Sequence, residues 1–211
     1  MATDLAALVA RLRAFKDPAG LDVLAVGCGG GQLASYLAGA RSIIALDIDG
    51  EALQRFAAAL SVLGAPAPCR MIEGPLEAWD GRVDLAFFEF CLHEMQDPDG
   101  ALAYAGKRAS YILVADHYPG SIWALCTGEG EKVERAWKAA AVRKPSSLEI
   151  VDAVQVFRDF DELEGRVASQ GEPALNYIQR YRDKRDLLIP MRWAMALFQG
   201  TEVNSEGKEN R

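Results

Sequence analysis

Residues Val23-Leu24-Ala25-Val26-Gly27-Cys28-Gly29-Gly30-Gly31 constrain this chain more than any other segment. An apolar run ends in a Gly-x-Gly-x-Gly turn and opens a helix-like stretch, Gln32 to Ala38. A second apolar run, Ser42 to Leu46, ends at an acid, Asp47, twenty residues after Gly27. Run, turn, helix, run and acid make a βαβ unit. Glycines let the backbone turn tightly and approach a ligand closely. A helix N-terminus adds unpaired N–H groups. An acid at the tip of the second strand can accept two hydrogen bonds from a ribose diol. The unit is therefore built to cradle a nucleotide.

Glycine spacing separates two users of this layout. Dinucleotide binders favour Gly-x-Gly-x-x-Gly. Here the position of their third glycine is Gln32, and the glycine comes one residue early, at Gly31.

The chain has 211 residues, half of them apolar, which suits one core and one domain over 1–199. The net charge of −7 argues against a nucleic-acid phosphate footprint. The one basic run, Arg180 to Arg185, carries its own acid and reads as a solvated strand and turn. No apolar stretch is long enough for a membrane span, and the N-terminus does not read as a signal peptide. The four cysteines, at 28, 69, 91 and 126, form no Cys-x-x-Cys pair. They suit a reducing cytoplasm better than a disulfide scaffold. Cys91, His93, His117 and Cys126 match no metal-ligand spacing, so no metal is expected.

Periodicity gives a lead-in helix over 3–15 and then strand 22–27, helix 30–39 and strand 42–47. Asp49 caps a helix whose face is Leu53, Phe56, Ala57 and Leu60, with Gly64 past its end. Cys69 to Glu73 reads as a short strand. Val83 to Phe90 suits a central strand buried on both faces. A helix over 98–107 and a strand over Tyr111 to Asp116 follow. Alternating strands and helices imply a parallel sheet with right-handed crossovers. Beyond Asp116 the reading is a loop over 117–128, a helix over 129–142, and a helix bearing Phe160, Leu163 and Val167 that stops at Gly171. Two last strands, 174–182 and 191–199, are close enough for an antiparallel hairpin. Residues 200–211 read as a disordered tail.

The glycine turn resembles motif I of the class I S-adenosylmethionine-dependent methyltransferases. The segment Val83-Asp84-Leu85-Ala86-Phe87-Phe88-Glu89-Phe90-Cys91-Leu92-His93-Glu94-Met95-Gln96-Asp97-Pro98 resembles their fourth motif, in which a buried strand and a Leu-His pair precede Asp-Pro. The likeness covers 21–116. It implies a doubly wound, mostly parallel α/β sheet of seven strands with a C-terminal antiparallel hairpin. It also implies S-adenosylmethionine as cofactor and in-line methyl transfer to a small-molecule acceptor. Gly27, Cys28, Gly29, Gly31, Ile48, Leu76 and Phe90 would contact the cofactor, and Asp47 would bind its ribose hydroxyls. Two positions depart from the family. An acid that usually sits two residues before the first glycine is Ala25 here, so Glu89 or backbone carbonyls would hold the methionine end. The stretch after strand three reads Glu73-Gly74-Pro75-Leu76-Glu77, where Glu73, Glu77 or the Leu76 backbone would meet the adenine.

The chain has two histidines, each just past a strand expected in the sheet. Ligands bind at that edge of open α/β folds. His93 and His117 are therefore the catalytic candidates, His93 for a structural part and His117 for acceptor contact or as base, its pKa raised by Asp116. The segment 117–147 would cover the site, with Tyr118 and Trp123 as an aromatic wall and Glu94 as an acid/base group or a solvated charge. A homodimer is compatible with these features. Two other functions remain open on the sequence: a nucleotide-cofactor (NAD-type) oxidoreductase, disfavoured by Gly31/Gln32 and the terminal hairpin, and a non-catalytic binding module, kept open by Ala25.

Overall fold

A computed structural model describes residues 5–63 and 67–201. Seven strands form one sheet: β1 Asp22–Val26, β2 Ser42–Asp47, β3 Cys69–Glu73, β4 Val83–Glu89, β5 Ala109–His117, β6 Ser147–Asp159 and β7 Arg185–Gln199. Their order across the sheet is β3-β2-β1-β4-β5-β7-β6. The first five pair in parallel, and β7 runs antiparallel between β5 and β6. The seven-stranded, mostly parallel α/β architecture read from the sequence is the architecture present.

Each central strand is apolar on both sides because each side is covered. Ala25, Leu85, Phe87, Leu113 and Ala115 point into one core with α1 (Leu5–Phe15) and α2 (Gly50–Ser61). Leu24, Val26, Ala86, Phe88 and Val114 point into the other, under α3 (Pro98–Gly106) and α5 (Gly130–Val142). Asp49 caps α2 by accepting from the Glu51 N–H, and Asp97 caps α3 by accepting from the Gly100 N–H. Side-chain oxygens thereby satisfy N–H groups that a helix start leaves unpaired.

Three stretches fold differently from the sequence reading. The helix expected over 30–39 is only a 3₁₀ turn, Ala34–Leu37. Its N-cap is Leu33, which offers no capping oxygen, and Gly39 follows closely, so nothing starts or extends an α-helix. At the C-terminal end, the strand expected over 174–182 is helical. Pro173 sits in the first turn of α7 (Glu172–Ile178), and Ala174 and Ile178, four apart, are its buried positions. The strand that pairs with β7 lies earlier, at β6. Leu148, Ile150, Val154 and Val156 alternate there with residues of the opposite face. So β6 and β7 are antiparallel neighbours joined through α6 (Phe160–Val167) and α7, not by a short turn. A short helix, α4 (Ile122–Cys126), also occupies part of the expected loop 117–128, with Ser121 as its cap. The longest element within 117–147 is α5, which buries Val133, Ala136, Trp137 and Ala140 against the sheet. The basic run 180–185 closes α7 in a 3₁₀ turn and enters β7. Residues 3–4, Gly64 and 202–211 lie outside the described residues.

The glycine turn is held from two directions. Gly27 has φ +61°, and a Cβ there would lie 2.4 Å from Cys91 Cβ. Gly31 has φ +76°, and a Cβ there would lie 2.8 Å from Ala59 Cβ and 2.9 Å from Phe56 Cα. Both conformations disfavour a side chain. Gly31→Ala should therefore cost about 2–3 kcal/mol through overpacking and backbone strain. Urea unfolding measures the loss, and an unchanged midpoint would show that α2 does not press on the turn.

Candidate functional site

The carboxyl ends of β1, β2, β4 and β5 open onto two cavities that share Gly27 as a wall. In parallel sheets this edge carries the strand-to-helix turns, so it gathers free N–H groups and short loops.

The first cavity, about 740 Å³, lies between the ends of β1, β2 and β4. Its walls include Asp47, Ile48, Leu76, Glu77, Cys91 and Tyr104. Asp47 is fixed by backbone: the Gly29 N–H donates to Oδ2 (2.9 Å) and the Asp49 N–H to Oδ1 (3.0 Å). A carboxylate has about four acceptor positions, so each oxygen keeps one for a ligand. Glu94 also borders this cavity, not the acceptor side, and its Oε2 pairs with Lys132 Nζ at 2.5 Å.

The second cavity, about 700 Å³, runs over β4, β5, β6 and β7. Gly27, Gly29, Gln32, Leu33 and Glu89 form one end. Phe90, His117, Trp123, Phe157 and Met191 form the walls. Glu89 is 7% exposed. Its Oε1 accepts from the Leu33 N–H (3.2 Å), while Oε2 is buried without a partner. Burial pushes its carboxyl up to about 8, with the Asp47 charge adding to the rise and the Leu33 hydrogen bond opposing it. Glu89 sits opposite Gly27, since Val26 registers with Phe88. Ala25 is fully buried between strands and reaches neither cavity.

Between and beneath the cavities stands a charged cluster. Asp116 is fully buried at the end of β5. Its Oδ1 lies 2.6 Å from His93 Nδ1 and accepts the His117 N–H (2.7 Å), and Oδ2 accepts the His93 N–H (3.0 Å). His93 Nε2 lies 3.4 Å from Glu94 and 3.7 Å from Glu129. Burial alone would push the His93 pKa down. The hydrogen bonds and charges of Asp116 and Glu129 outweigh it, so His93 is held well above the usual imidazole range. Burial raises Glu129, but the His93 and Thr127 contacts outweigh that and lower it. His93 is thus an imidazolium clamped by carboxylates, and it lines neither cavity.

His117 is different. It faces the second cavity, and its Nδ1 is buried without a partner. Burial pushes its pKa down, more strongly than Asp116 pulls it up. The net rise expected from Asp116 does not occur, because burial outweighs the pull of its charge and the charge on His93 opposes it as well. His117 is therefore neutral near pH 7.

Among the other residues read from the sequence, Trp123 stacks on Phe157 at 5.6 Å in the cavity wall. Tyr118 does not join it. Its ring lies against Trp137 at 4.8 Å, with the core on the other face of the sheet. Cys28 puts its side chain into the core, and Gly31 packs on α2, so these two shape the turn and do not line either cavity. Gln155, Phe157, Arg166 and Met191 line the second cavity and were not singled out from sequence. Gln155 and Phe157 come from β6, which the sequence reading did not place, while Arg166 and Met191 lie in elements it did. An alternating Val154-Gln155-Val156-Phe157 was the signal that could have found two of them.

A family profile described as "Methyltransferase domain" matches residues 24–107, from β1 through α3. A Bacillus halodurans structure described as a methyltransferase is similar over 93% of this chain and 97% of its own, with TM-score 0.62 and 18% identity. The YcgJ protein of Bacillus subtilis gives 0.57 and 14% over 92% and 95% of the two chains. The [4+2]-cyclase SpnF gives 0.56 and 18% over 92% and 80%. No curated protein sequence matches significantly. At these identities the structures show the fold, and one of them is named for a different reaction. Chemistry has to be argued from the site.

The clamp makes a pH-dependent contribution to stability. A histidine whose pKa is raised on folding stabilises fully below its unfolded value, near 6.5, and loses that contribution as pH rises through the folded value. His93→Gln should cost about 3 kcal/mol at pH 6, because it leaves buried carboxylates unpaired. The gap to wild type should narrow as pH rises above 6.5. His117→Gln should cost far less at every pH. Chemical unfolding at pH 6 and 9 measures both, and a constant His93→Gln gap would show that His93 is neutral.

Proposed function

We propose that this chain, which belongs to the class I S-adenosylmethionine-dependent methyltransferase family, methylates a small-molecule acceptor held in the cavity over β4, β5 and β7. One observation carries the reading. Two cavities meet at Gly27, one presenting the Asp47 carboxylate with open acceptor positions and the other the buried, half-partnered carboxylate of Glu89.

The residues present fit the cofactor. Asp47 would accept from the ribose hydroxyls, with Ile48 and Leu76 against the adenosine. Glu89 would take the amino group of the methionine end, which gives its orphaned Oε2 a partner and offsets the missing acid at Ala25. Gly27, whose missing side chain lets Cys91 pack against the turn, lies between them as a wall of both cavities. When bound, S-adenosylmethionine supplies an electrophilic methyl group on a sulfonium.

The protein's part is then chiefly alignment. Rigid positioning of acceptor and methyl can be worth roughly 7–11 kcal/mol at its best. Phe90, Trp123 and Phe157 would hold the acceptor and exclude water. His117, neutral and beside it, is the group available to take a proton where the acceptor carries one, worth roughly 10²–10⁴-fold. Asp116 fixes the His117 backbone and does not compete for its ring. The segment 117–128, through Trp123, would close this side. The acidic chain supports an acceptor other than nucleic acid, and its free cysteines support a cytoplasmic enzyme. None of the helices formed by described residues is long and apolar enough to cross a membrane. A homodimer is compatible with this reading.

S-adenosylhomocysteine should bind and raise the melting temperature. Its affinity should rise with pH between 6 and 8, approaching tenfold per unit, because only ionised Glu89 pairs with an amino group. Glu89→Gln should weaken binding and flatten that dependence, and Asp47→Asn should weaken it at least tenfold with little change in the free protein's stability. Calorimetry with S-adenosylhomocysteine and NAD as parallel titrants tests this, and binding of NAD alone would overturn the assignment.

Turnover should depend on His117 in a stated direction. A base whose pKa is lowered is ready above its titration, so activity should rise with pH below 6.5 and level off above it. His117→Gln should lower kcat at least tenfold on a protonated acceptor. Full turnover in that variant from pH 6 to 9 would leave alignment as the whole mechanism.

A further inference from the structure

The walls of the acceptor cavity are flat and its rim is charged. Phe90 has φ +47°, a conformation that costs a non-glycine residue free energy and clusters at functional sites. It sets the ring 5.2 Å from His117 and 6.2 Å from Trp193 in edge and tilted geometry. Across the cavity, Trp123 and Phe157 stack with their planes only 26° apart. Trp123 and Phe157 are almost fully buried. Phe90, His117, Trp123 and Phe157 all line this one cavity, so its walls offer aromatic surface to a planar guest.

At the rim stands Arg166, in the last turn of α6, exposed and lining the same cavity. The neighbouring acid, Glu162, is engaged by Arg158, whose backbone N–H donates to it at 2.8 Å and whose Nε lies 3.3 Å away. The Arg166 guanidinium has neither an ion pair nor a hydrogen bond among the described residues. On a chain of net charge −7, a guanidinium left without a carboxylate at a cavity mouth is a site for an anion from outside. A guanidinium binds a carboxylate through two parallel N–H···O bonds, which an amide cannot match.

The geometry points to an acceptor of one class: a planar aromatic acid. Its ring lies between Phe90 and the Trp123–Phe157 pair, and its carboxylate meets Arg166 at the mouth. This rests on the methyltransferase reading above and narrows its substrate. The acceptor's reactive group then lies at the end of the ring remote from the acid, toward Gly27 and His117, so Arg166 sets the direction of entry.

The test uses the full chain saturated with S-adenosylhomocysteine. The probes are 4-hydroxybenzoate, indole-3-carboxylate and 2-naphthoate, each beside its own carboxamide, with cyclohexanecarboxylate as the non-planar control. Binding is read by calorimetry and by quenching of tryptophan fluorescence. At least one aromatic acid should bind five-fold or more tightly than its amide and than cyclohexanecarboxylate. Arg166→Gln should erase the preference for acid over amide while leaving S-adenosylhomocysteine affinity and melting temperature unchanged. Trp123→Leu should weaken acid and amide alike. Equal affinity for acids and amides, a preference that survives Arg166→Gln, or no binding of any aromatic acid at 5 mM would each overturn the proposal. Failure of S-adenosylhomocysteine to bind in the first step would instead fall on the cofactor reading.

Discussion

The buried carboxylate of Asp116 organises the working edge of this fold. It sits where β5 ends, shielded from water, and its two oxygens take three hydrogen bonds from two different chain segments. A lone buried charge would cost several kcal/mol, so it must be paired. His93 pairs it and becomes a cation in doing so, and Glu129 shares that cation from the start of α5. The ends of β4 and β5 and the N-terminus of α5 are thereby held together by one charged cluster. The shape of the second cavity follows from that attachment, since Phe90 and His117 extend from the same two strand ends.

The cluster also explains why two histidines at one edge behave oppositely. Only one of them can have the carboxylate. His93 has it and is held charged. His117, one residue from Asp116 in sequence, donates only its backbone N–H to it, and burial, which favours the neutral ring, outweighs the pull of that charge. Their rings are 5.5 Å apart, and the charge on His93 further discourages a second one on His117. A histidine that stays neutral keeps a ring nitrogen open to a proton near pH 7, while the fixed cation beside it makes it a weaker base than a free imidazole. Sequence adjacency to an acid had suggested the reverse.

What could be read from the sequence follows from how local each signal is. The two parallel strands that flank the glycine turn, the central strand expected over Val83–Phe90 and the cap Asp49 rest on spacing within one or two elements, and the structure has them, with Asp47 at the tip of β2. The helix after the glycine turn was overread, because apolar spacing from Leu33 to Leu37 says nothing about a missing cap. β6 was missed although its residues alternate. Asp152 interrupts the apolar face, and the competing stretch 174–182 also contains apolar residues. Its helical character depends on Pro173 and on Ala174 and Ile178 finding the core of another layer. The second cavity was illegible for the same reason: Gln155 and Phe157 enter it only once β6 is known to flank β7. Tyr118 shows the limit from the other side, since a single step past a strand end decides which face of the sheet a side chain meets.

The departure at Ala25 is accommodated by register. β1 and β4 are parallel neighbours, with Ala25 beside Phe87, so an acid at Glu89 in place of one at Ala25 lies one strand over and two residues further toward the carboxyl edge. It still faces the glycine turn, through the hydrogen bond from Leu33 to Glu89. The environment changes more than the location. Glu89 is enclosed, holds one hydrogen bond, and is therefore poised between neutral and charged near pH 8. An acid in that state discriminates sharply: it binds little until a cation is brought to it, and a cation that reaches it gains a partner in a site where water competes poorly. Cofactor capture in this fold would thus be coupled to the release of a proton from Glu89, and the energy of that coupling is set by how completely β4, the 3₁₀ turn and the glycine loop exclude solvent from one carboxylate oxygen.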